Sequence, residues 1–482
     1  MTIILYNNTF KYETEAVTKL FFPAQRFDFL YDEKNAEGDI IMTQVKKCKK
    51  KIYLFTYIRK SDIVIKRAKF CSTDSTDDEL EFELCRMLFL SLEKMTGITP
   101  KWGIITGIRP VKKVNALIKE NLSKEEIFKI LREKYFISEE KFETAYLTAQ
   151  TQLPLIRPYD RKTVSLYISI PFCPTRCSYC SFVSHSMDSA KKLMPDYING
   201  LCRELEILSD IVSDNGLKID TIYYGGGTPT SISAEDLYRI MKKTSECFDL
   251  SSLREYDVEA GRADTITEEK LRVIKEMKAT RISINPQTMN DEVLKVIGRK
   301  HTSEQVIDAF RLARKLGFDN INMDLIAGLP TETFESFKNT IKIITDLDPD
   351  GVTVHSLTLK RSADLYSTGD ENIHNPASEM LEYSNRVLLE KGYYPYYLYR
   401  QKNTIDSLEN TGFSKPHKES LYNIYIMDEI QTILGAGCAA STKLVDENNF
   451  ISRVMNYKFP YEYINRFDEL MQKKEQIKDF FK

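Results

Sequence analysis

The sequence is poor in several things at once, and each shortage excludes something. Tryptophan occurs once in 482 residues, so aromatic packing falls to 27 Tyr and 25 Phe. No charge of either sign dominates: 68 Lys and Arg stand against 70 Asp and Glu, a net charge of −2. A general nucleic-acid binder, which needs a basic excess to displace counterions, is therefore not expected. No run approaches the roughly 20 apolar residues that a membrane span requires, and residues 1–17 lack a basic region leading into a long apolar stretch and a cleavage site. The expectation is a cytoplasmic chain with reduced thiols. Nine cysteines are too few and too scattered for a disulfide framework. There is no internal repeat and no low-complexity tract, and the length suggests about three domains.

Residues 1–155 read as an N-terminal α+β accessory domain. Ile52–Ile58 and Ile63–Ile65 have strand character, and helical periodicity runs through Leu80–Met95 and Lys124–Leu147. The basic run Lys46–Lys51 reads as a solvated hairpin, and the two prolines of Leu153–Pro158 suit a linker. From about residue 160 to 355, short apolar strands alternate with long amphipathic helices. The strands are Val164–Ile170, Asp220–Tyr224, Tyr256–Ala260, Arg281–Asn285, Asn320–Ala327 and Gly351–His355. Such alternation implies right-handed βαβ units and a parallel sheet, either open or curled into a partial barrel. Residues 356–482 form a third, mixed, Tyr-rich region. Its run Tyr393–Tyr399 reads as a half-buried strand.

Three of the nine cysteines crowd together as Cys173, Cys177 and Cys180, spaced C-x3-C-x2-C. They follow the first parallel strand, at the strand edge where such folds carry active sites. Three thiolates do not complete a structural zinc site, although His185 is a possible fourth ligand. They suit a 4Fe–4S cluster whose fourth iron is left open for an exchangeable ligand. Past the second strand comes Tyr224-Gly-Gly-Gly-Thr-Pro229, a glycine run that lets a ligand approach the backbone. No Gly-Lys-Ser/Thr follows it, so a nucleoside-triphosphate loop is a poor reading. Polar residues mark the later strands: Glu259, Gln287, Asp324 and, after a short helix, Arg299, which could hold a carboxylate bidentately. Taken singly, each is as well explained as a cap or an ion pair.

The cysteine spacing after a first strand is similar to the signature of the radical S-adenosylmethionine (SAM) superfamily. Arg281–Gln287, Ile297-Gly-Arg299 and Met323–Pro330 resemble the oxygen-independent coproporphyrinogen III oxidase family. Trp102–Pro110 and Tyr396–Asn403 look like its HemZ branch, and Leu434–Ser441 like a small-residue loop of the wider group, or else a tight turn into a helix. The resemblance implies a partial (β/α)6 TIM-like barrel, a 4Fe–4S cluster on Cys173, Cys177 and Cys180, and SAM bound at its open iron. It implies that Gly226, Gly227 and Thr228 receive the methionine amino group of SAM. Glu259 and Asp324 would hold its ribose or nearby polar groups, Gln287 and Arg299 would contact it, and Tyr167 would be the catalytic residue. The implied reaction is decarboxylation of two tetrapyrrole propionates to vinyl groups by a SAM-derived radical. An electron donor of the flavodoxin or ferredoxin type would feed a monomeric enzyme. Residues 356–482 would cover the substrate, and Arg109, Arg361, Arg400 and Lys402 are candidates for its carboxylates. Two positions depart from the oxidases of the family: Phe182 stands where they have a further cysteine, and Ser169 where they have histidine. Cys177–His185 resembles instead the haem chaperones of the HemW type, which implies a haem carrier as the alternative, with His355 a possible axial ligand. A third alternative keeps the radical chemistry and takes haem as the substrate.

Overall fold

The computed structural model describes residues 1–23, 25–31, 37–180, 185–358, 376–401 and 408–482. Contacts divide the chain into two compact units, Met1–Tyr146 with 400–407, and Leu147–Tyr399 with Leu408–Lys482.

The first unit is built on five strands: β1 (Thr2–Tyr6), β2 (Asp28–Tyr31), β3 (Ile40–Lys47), β4 (Ile52–Lys60) and β5 (Ile63–Cys71), in the order β2-β1-β3-β4-β5. The basic run closes the β3–β4 hairpin, where the Cys48 N–H donates to the Lys51 carbonyl. Helix Asp77–Thr96 carries a full Thr76–Glu79 capping box and buries Leu80, Leu84, Leu88 and Leu92. The periodicity over Lys124–Leu147 resolves into two helices, Lys124–Tyr135 and Glu139–Gln152. They part where Phe136 turns left-handed and Ser138 restarts the chain. An uninterrupted apolar pattern hid that break.

The second unit carries the six expected strands in the expected order. They are β6 (Thr163–Ile170), β9 (Lys218–Gly226), β10 (Glu255–Glu259), β11 (Arg281–Ser283), β12 (Ile321–Ala327) and β13 (Gly351–Ser356), each parallel to its neighbour. A short ladder, β7 (Phe172–Cys173) with β8 (His185–Ser186), follows β6. Residues after 356 extend this same sheet. β15 (Glu409–Ser414) runs antiparallel to β13, with β14 (Tyr394–Arg400) beyond it. β16 (Thr432–Ala436) adds a further parallel strand beside β6, and β17 (Ser441–Val445) and β18 (Ile451–Met455) finish that edge. Leu434–Ser441 is thus a strand and a tight turn into another strand, not a turn into a helix. Gly437, at φ +90, makes the turn possible. The sheet stays open, with β14 and β18 at its edges. Helices Met194–Asp214, Ala234–Cys247, Ser303–Lys315 and Phe334–Leu347 turn their apolar faces onto it, burying for instance Leu201, Leu205, Leu237, Phe310 and Ile341.

One buried ion pair locks the β16 edge. Lys474 on the C-terminal helix Phe467–Phe481 meets Glu204 at 2.8 Å, and both side chains are 0% exposed. Burying two charges is tolerated only when the remaining polar atoms are also satisfied. Here Glu204 accepts from the Gly437 N–H (2.7 Å), Tyr463 Oη (2.6 Å) and Asn456 Nδ2 (2.8 Å), while Lys474 donates to the Gly435 carbonyl (2.7 Å). Substituting Lys474→Met leaves a buried carboxylate without its cation and should cost about 3–5 kcal/mol. The half-buried Lys478→Met on the same helix, which loses only a solvent-facing pair with Glu475, should cost about 0–1 kcal/mol. Urea unfolding of the two variants checks this; equal midpoints would contradict it.

Candidate functional site

Because the six strands are parallel, their C-terminal ends share one rim, and the predicted site residues fall on it or just inside. The first element there is the cysteine loop. β6 ends at Ile170 and β7 carries Cys173, so the chain leaves the sheet directly into the loop. The loop is pinned by its neighbours. Ser178 N–H donates to the Ile297 carbonyl (3.1 Å), Thr175 Oγ1 to the Gly298 carbonyl (3.0 Å), and Cys180 N–H to the Cys177 carbonyl (3.0 Å). Arg262, buried after β10, donates to the Thr175 carbonyl (3.0 Å) and lies 3.8 Å from Cys177 Sγ. Its guanidinium is forked onto Asp264 at 3.0 and 2.7 Å. Burial alone would raise the Asp264 carboxyl, but His301 and Arg262 hold it well below the ordinary range.

Second is the glycine turn at the end of β9, paired with the end of β6 through Ser169↔Gly225 and Ile170↔Gly226. A Cβ on Gly227 would lie 2.6 Å from the Phe172 carbonyl oxygen and 3.0 Å from Cys173 Sγ. Gly226 stands at φ +106, its Cβ direction blocked at 2.7 Å by Ser169 Oγ. The next residue, Thr228, puts Oγ1 3.5 Å from Cys173 Sγ. The turn is therefore a cradle of bare backbone against the first cysteine, which fits a cluster ligand and a cofactor that must touch both. Among the described residues, no three His, Cys, Asp or Glu side chains are grouped tightly enough to share one metal ion. The larger four-iron cubane needs no such tight grouping. The side chain of His185 and the whole of Phe182 lie outside the described residues, as does the comparison that Phe182 invites.

Third are the polar groups of the later strands. Glu259 ends β10, and its Oε2 would lie 3.1 Å from a Cβ on Gly225. Burial pushes Glu259 up to about 8, with the Asp324 and Asp257 charges adding to it. Asp324, inside β12, is half-buried; desolvation would raise it, yet it is held below its ordinary value by His355, Asn322 and Thr353. Asn322 Nδ2 donates to it at 2.7 Å, and His355 Nε2 is 3.7 Å away. His355 is thus engaged with a carboxylate. Gln287 sits between β11 and β12 at φ +70, a strained conformation for a non-glycine residue. Its N–H donates to the Asp324 carbonyl (2.9 Å) and its carbonyl accepts from Ile326 N–H (3.0 Å). Arg299 is buried, and among the described residues no carboxylate holds its fork. Nη1 donates to the Asn285 carbonyl (2.6 Å) and Nη2 to Tyr179 Oη (3.2 Å), while Nε is buried without a partner. It lies under the cysteine loop, with one donor left over.

Tyr167, on β6, faces the sheet interior in a stack the sequence did not suggest. Its ring centroid is 6.1 Å from that of Tyr223 and 6.2 Å from that of Tyr422, and the last two are 4.5 Å apart. Tyr422 arrives from the C-terminal region because Glu255 anchors its helix. The Glu255 carboxylate accepts from Leu421 N–H (2.7 Å), Tyr422 N–H (3.0 Å) and Ser420 Oγ (3.0 Å). All three phenols are raised above their ordinary value by burial, so they stay protonated. Arg262 and the stack were missed because their partners are distant in sequence. The position of Arg262, three residues past a strand end, was the available signal. Of the candidates for substrate carboxylates, Arg400 is buried in the first unit, where it donates to the Ile105 carbonyl and lies over the Trp102 ring. Arg109 is half-buried in the same unit, and Arg361 and Lys402 lie outside the described residues.

Residues 167–344 match the model of the radical SAM superfamily. The chain is 40% identical over 430 residues to the oxygen-independent coproporphyrinogen-III oxidase-like protein HemZ of Bacillus subtilis, covering 86% of this chain and 85% of that protein. This protein belongs to that family of radical SAM proteins. Family membership gives its cofactors, a 4Fe–4S cluster and SAM. The haem chaperone HemW of Bacillus subtilis is 32% identical over 306 residues, 62% of this chain and 77% of that one. The coproporphyrinogen III oxidase HemN of Escherichia coli has the same fold, with a TM-score of 0.52 and 24% identity over 68% of this chain and 73% of that one. No helix among the described residues is long and apolar enough to cross a membrane.

The raised Glu259 gives a signed expectation. The folded state holds its proton up to about pH 8, whereas the unfolded carboxyl loses it near pH 4.3. Between those values the folded state binds more protons, so stability falls as pH rises through the window. Glu259→Gln should flatten the fall in melting temperature of the cofactor-free protein between pH 5 and pH 8. Parallel profiles for the two proteins would contradict it.

Proposed function

We propose that this radical SAM protein oxidatively decarboxylates the propionate side chains of coproporphyrinogen III, leaving vinyl groups. The observation that carries the reading is the glycine cradle against Cys173 with Glu259 beside it, since a SAM molecule bound there would reach cluster and carboxylate together. Cys173, Cys177 and Cys180 would hold three irons. When bound, cluster and SAM supply a radical able to take a hydrogen atom from an unactivated carbon. The backbone of Gly226, Gly227 and Thr228 would receive the methionine end of SAM, where a side chain would collide.

Glu259 and Asp324 divide their labour by protonation. At neutral pH Glu259 keeps its proton and Asp324 is ionised, so one donates and the other accepts. That complementarity suits the adjacent hydroxyls of a ribose. Gln287, held in its strained turn, would present its amide to SAM, and the spare Arg299 Nε one further donor. The stack of Tyr167, Tyr223 and Tyr422 floors the interior with protonated phenols and excludes water, which a radical site requires. In this reading Tyr167 contacts the reacting groups, and the region after residue 356 covers the substrate. Removal of one hydrogen atom, one carbon dioxide and one further electron per propionate leaves the vinyl group, so a one-electron acceptor is part of the reaction.

A second reading, a haem carrier, is favoured by Ser169, which occupies the place of the histidine of the oxidases, and by the HemW relatives. Anaerobic turnover with reductant, SAM and coproporphyrinogen III separates the two. The oxidase reading expects products lighter by one and two units of formic acid mass in the mass spectrum. Cleavage of SAM without any such product, together with stoichiometric haem binding, would overturn it for the carrier.

A further inference from the structure

The basic run Lys46–Lys51 takes no part in the site at the rim, and it belongs to the other compact unit. Its surroundings are as one-sided in charge as the run itself. Strands β3, β4 and β5 contain no Asp or Glu, and neither does the turn between β3 and β4. The register sorts their side chains onto two faces. On the inner face Ile41, Val45, Leu54 and Ile58 pack with Leu80, Leu84 and Leu88 of the helix Asp77–Thr96. Lys69 and Arg67 also belong to that face, where they meet Glu83 at 2.6 Å and the Leu90 carbonyl at 3.2 Å. The alternate positions Tyr53, Phe55 and Tyr57 of β4 take the outer face, opposite Phe70, Ala68 and Lys66 of β5.

The outer face is therefore a row of rings bordered by cations. Tyr53 and Phe55 stack with centroids 6.1 Å apart, and the Phe70 ring stands 5.3 Å from Tyr53 and is 60% exposed. Lys51 Nζ lies 5.6 Å over the Phe70 ring and Lys66 Nζ 5.5 Å over the Tyr57 ring. Lys46, Lys47, Lys49, Lys50 and Lys51 are exposed at one end of the face. Lys66 lies further along it, since Tyr53 and Tyr57 are about 14 Å apart at the rise of a strand. Among the described residues no carboxylate pairs with any of these six lysines. Asp62 sits in the β4–β5 turn at the far end, and Asp77 and Asp78 begin the helix that covers the inner face.

Unpaired cations in a row favour a polyanion, and open rings favour flat partners. Single-stranded nucleic acid supplies both along one chain, phosphates for the lysines and base faces for stacking. A duplex hides its base faces. An anionic lipid surface would call for apolar wedges among the lysines, whereas the exposed Ile63 and Val64 lie at the opposite end of β5. The net charge of −2 conceals the patch because the balancing acids lie elsewhere in the chain. We infer that the outer face of β3, β4 and β5, with the lysines of its hairpin, binds single-stranded nucleic acid. The lysines neutralise phosphates and release their counterions, while Phe70 and Tyr53 take bases by stacking. Such a face reads charge and ring planes, so binding is indifferent to base sequence. No bond forms or breaks, and the inference does not depend on the reading of the cysteines.

The test uses the full-length, cluster-loaded protein with fluorescein-labelled oligouridylate and oligodeoxythymidylate, and reads anisotropy across a salt series. Lys49→Ala with Lys50→Ala and Lys51→Ala should weaken binding about tenfold or more at low salt and lower the salt slope by about 2, at roughly 0.7 per phosphate contact. Phe70→Ser should weaken binding about fivefold or more without changing the slope, and Phe70→Trp, which keeps a ring, should restore it. Lys242→Ala with Lys338→Ala and Lys482→Ala removes three lysines that pair with acids in the other unit, and should leave dissociation constants within twofold. Binding of either strand with these losses supports the inference. No binding of either strand by the unaltered protein, equal weakening by the control variant, or dissociation constants within twofold in the hairpin and Phe70→Ser variants would overturn it. Binding of phosphatidylglycerol vesicles or of coproporphyrin that the hairpin variant abolishes, with neither strand bound, would also overturn it.

Discussion

The constraint on which the site depends is the approach of the Gly226–Gly227 backbone to the Phe172 carbonyl and Cys173 sulfur. It exists because β6 and β9 are parallel neighbours that end in register, Ile170 opposite Gly226. The chain of β6 then continues straight into the cysteine strand. Two loops from different parts of the sequence are thus forced against each other, with no room for a β-carbon between them. Everything else at the rim is arranged about that contact. Arg262 fixes Cys177 from beyond β10, the Ile297–Gly298 turn holds the outer side of the loop, and Glu259 stands over Gly225.

The contact also has a foundation outside the six strands. Ser169 blocks the Cβ direction of Gly226 on one side, and its carbonyl accepts from Tyr197 Oη at 2.7 Å. Tyr197 Oη in turn accepts from Cys438 N–H at 3.0 Å, beside the Gly437 N–H that Glu204 holds. The buried Glu204–Lys474 pair is therefore linked to the cofactor cradle through Gly437–Cys438, Tyr197 and Ser169. A fully satisfied buried ion pair adds specificity more than net stability, which suits an element that fixes the position of a turn.

The sequence made the parallel strands legible because apolar runs of five to eight residues alternated with capped amphipathic helices. It made the rim legible because polar residues at strand ends have few structural reasons to be there in such number. Arg299 shows the limit of that reasoning. Its position was readable, but its engagement with the Asn285 carbonyl and Tyr179 depends on how a loop 120 residues away is folded. Tyr422 shows the same limit: it reaches the interior only because Glu255, at the opposite end of the sheet, binds the start of its helix. The pairing of β16 with β6 joins residues about 270 apart, and no local pattern announces such a neighbour. His355 was readable as a polar residue at a strand end, and Asp324 on the neighbouring strand gave it a partner.

The central claim is that the glycine cradle brings SAM to the open iron held beside Cys173. The most direct measurement is the electron paramagnetic resonance spectrum of the reduced, cluster-loaded protein with and without SAM, in the unaltered chain and in Gly227→Ala. The account predicts that SAM shifts the cluster signal of the unaltered protein and that the added methyl group abolishes the shift or the cluster itself. A signal indifferent to SAM in the unaltered protein, or an equal shift in Gly227→Ala, would contradict it.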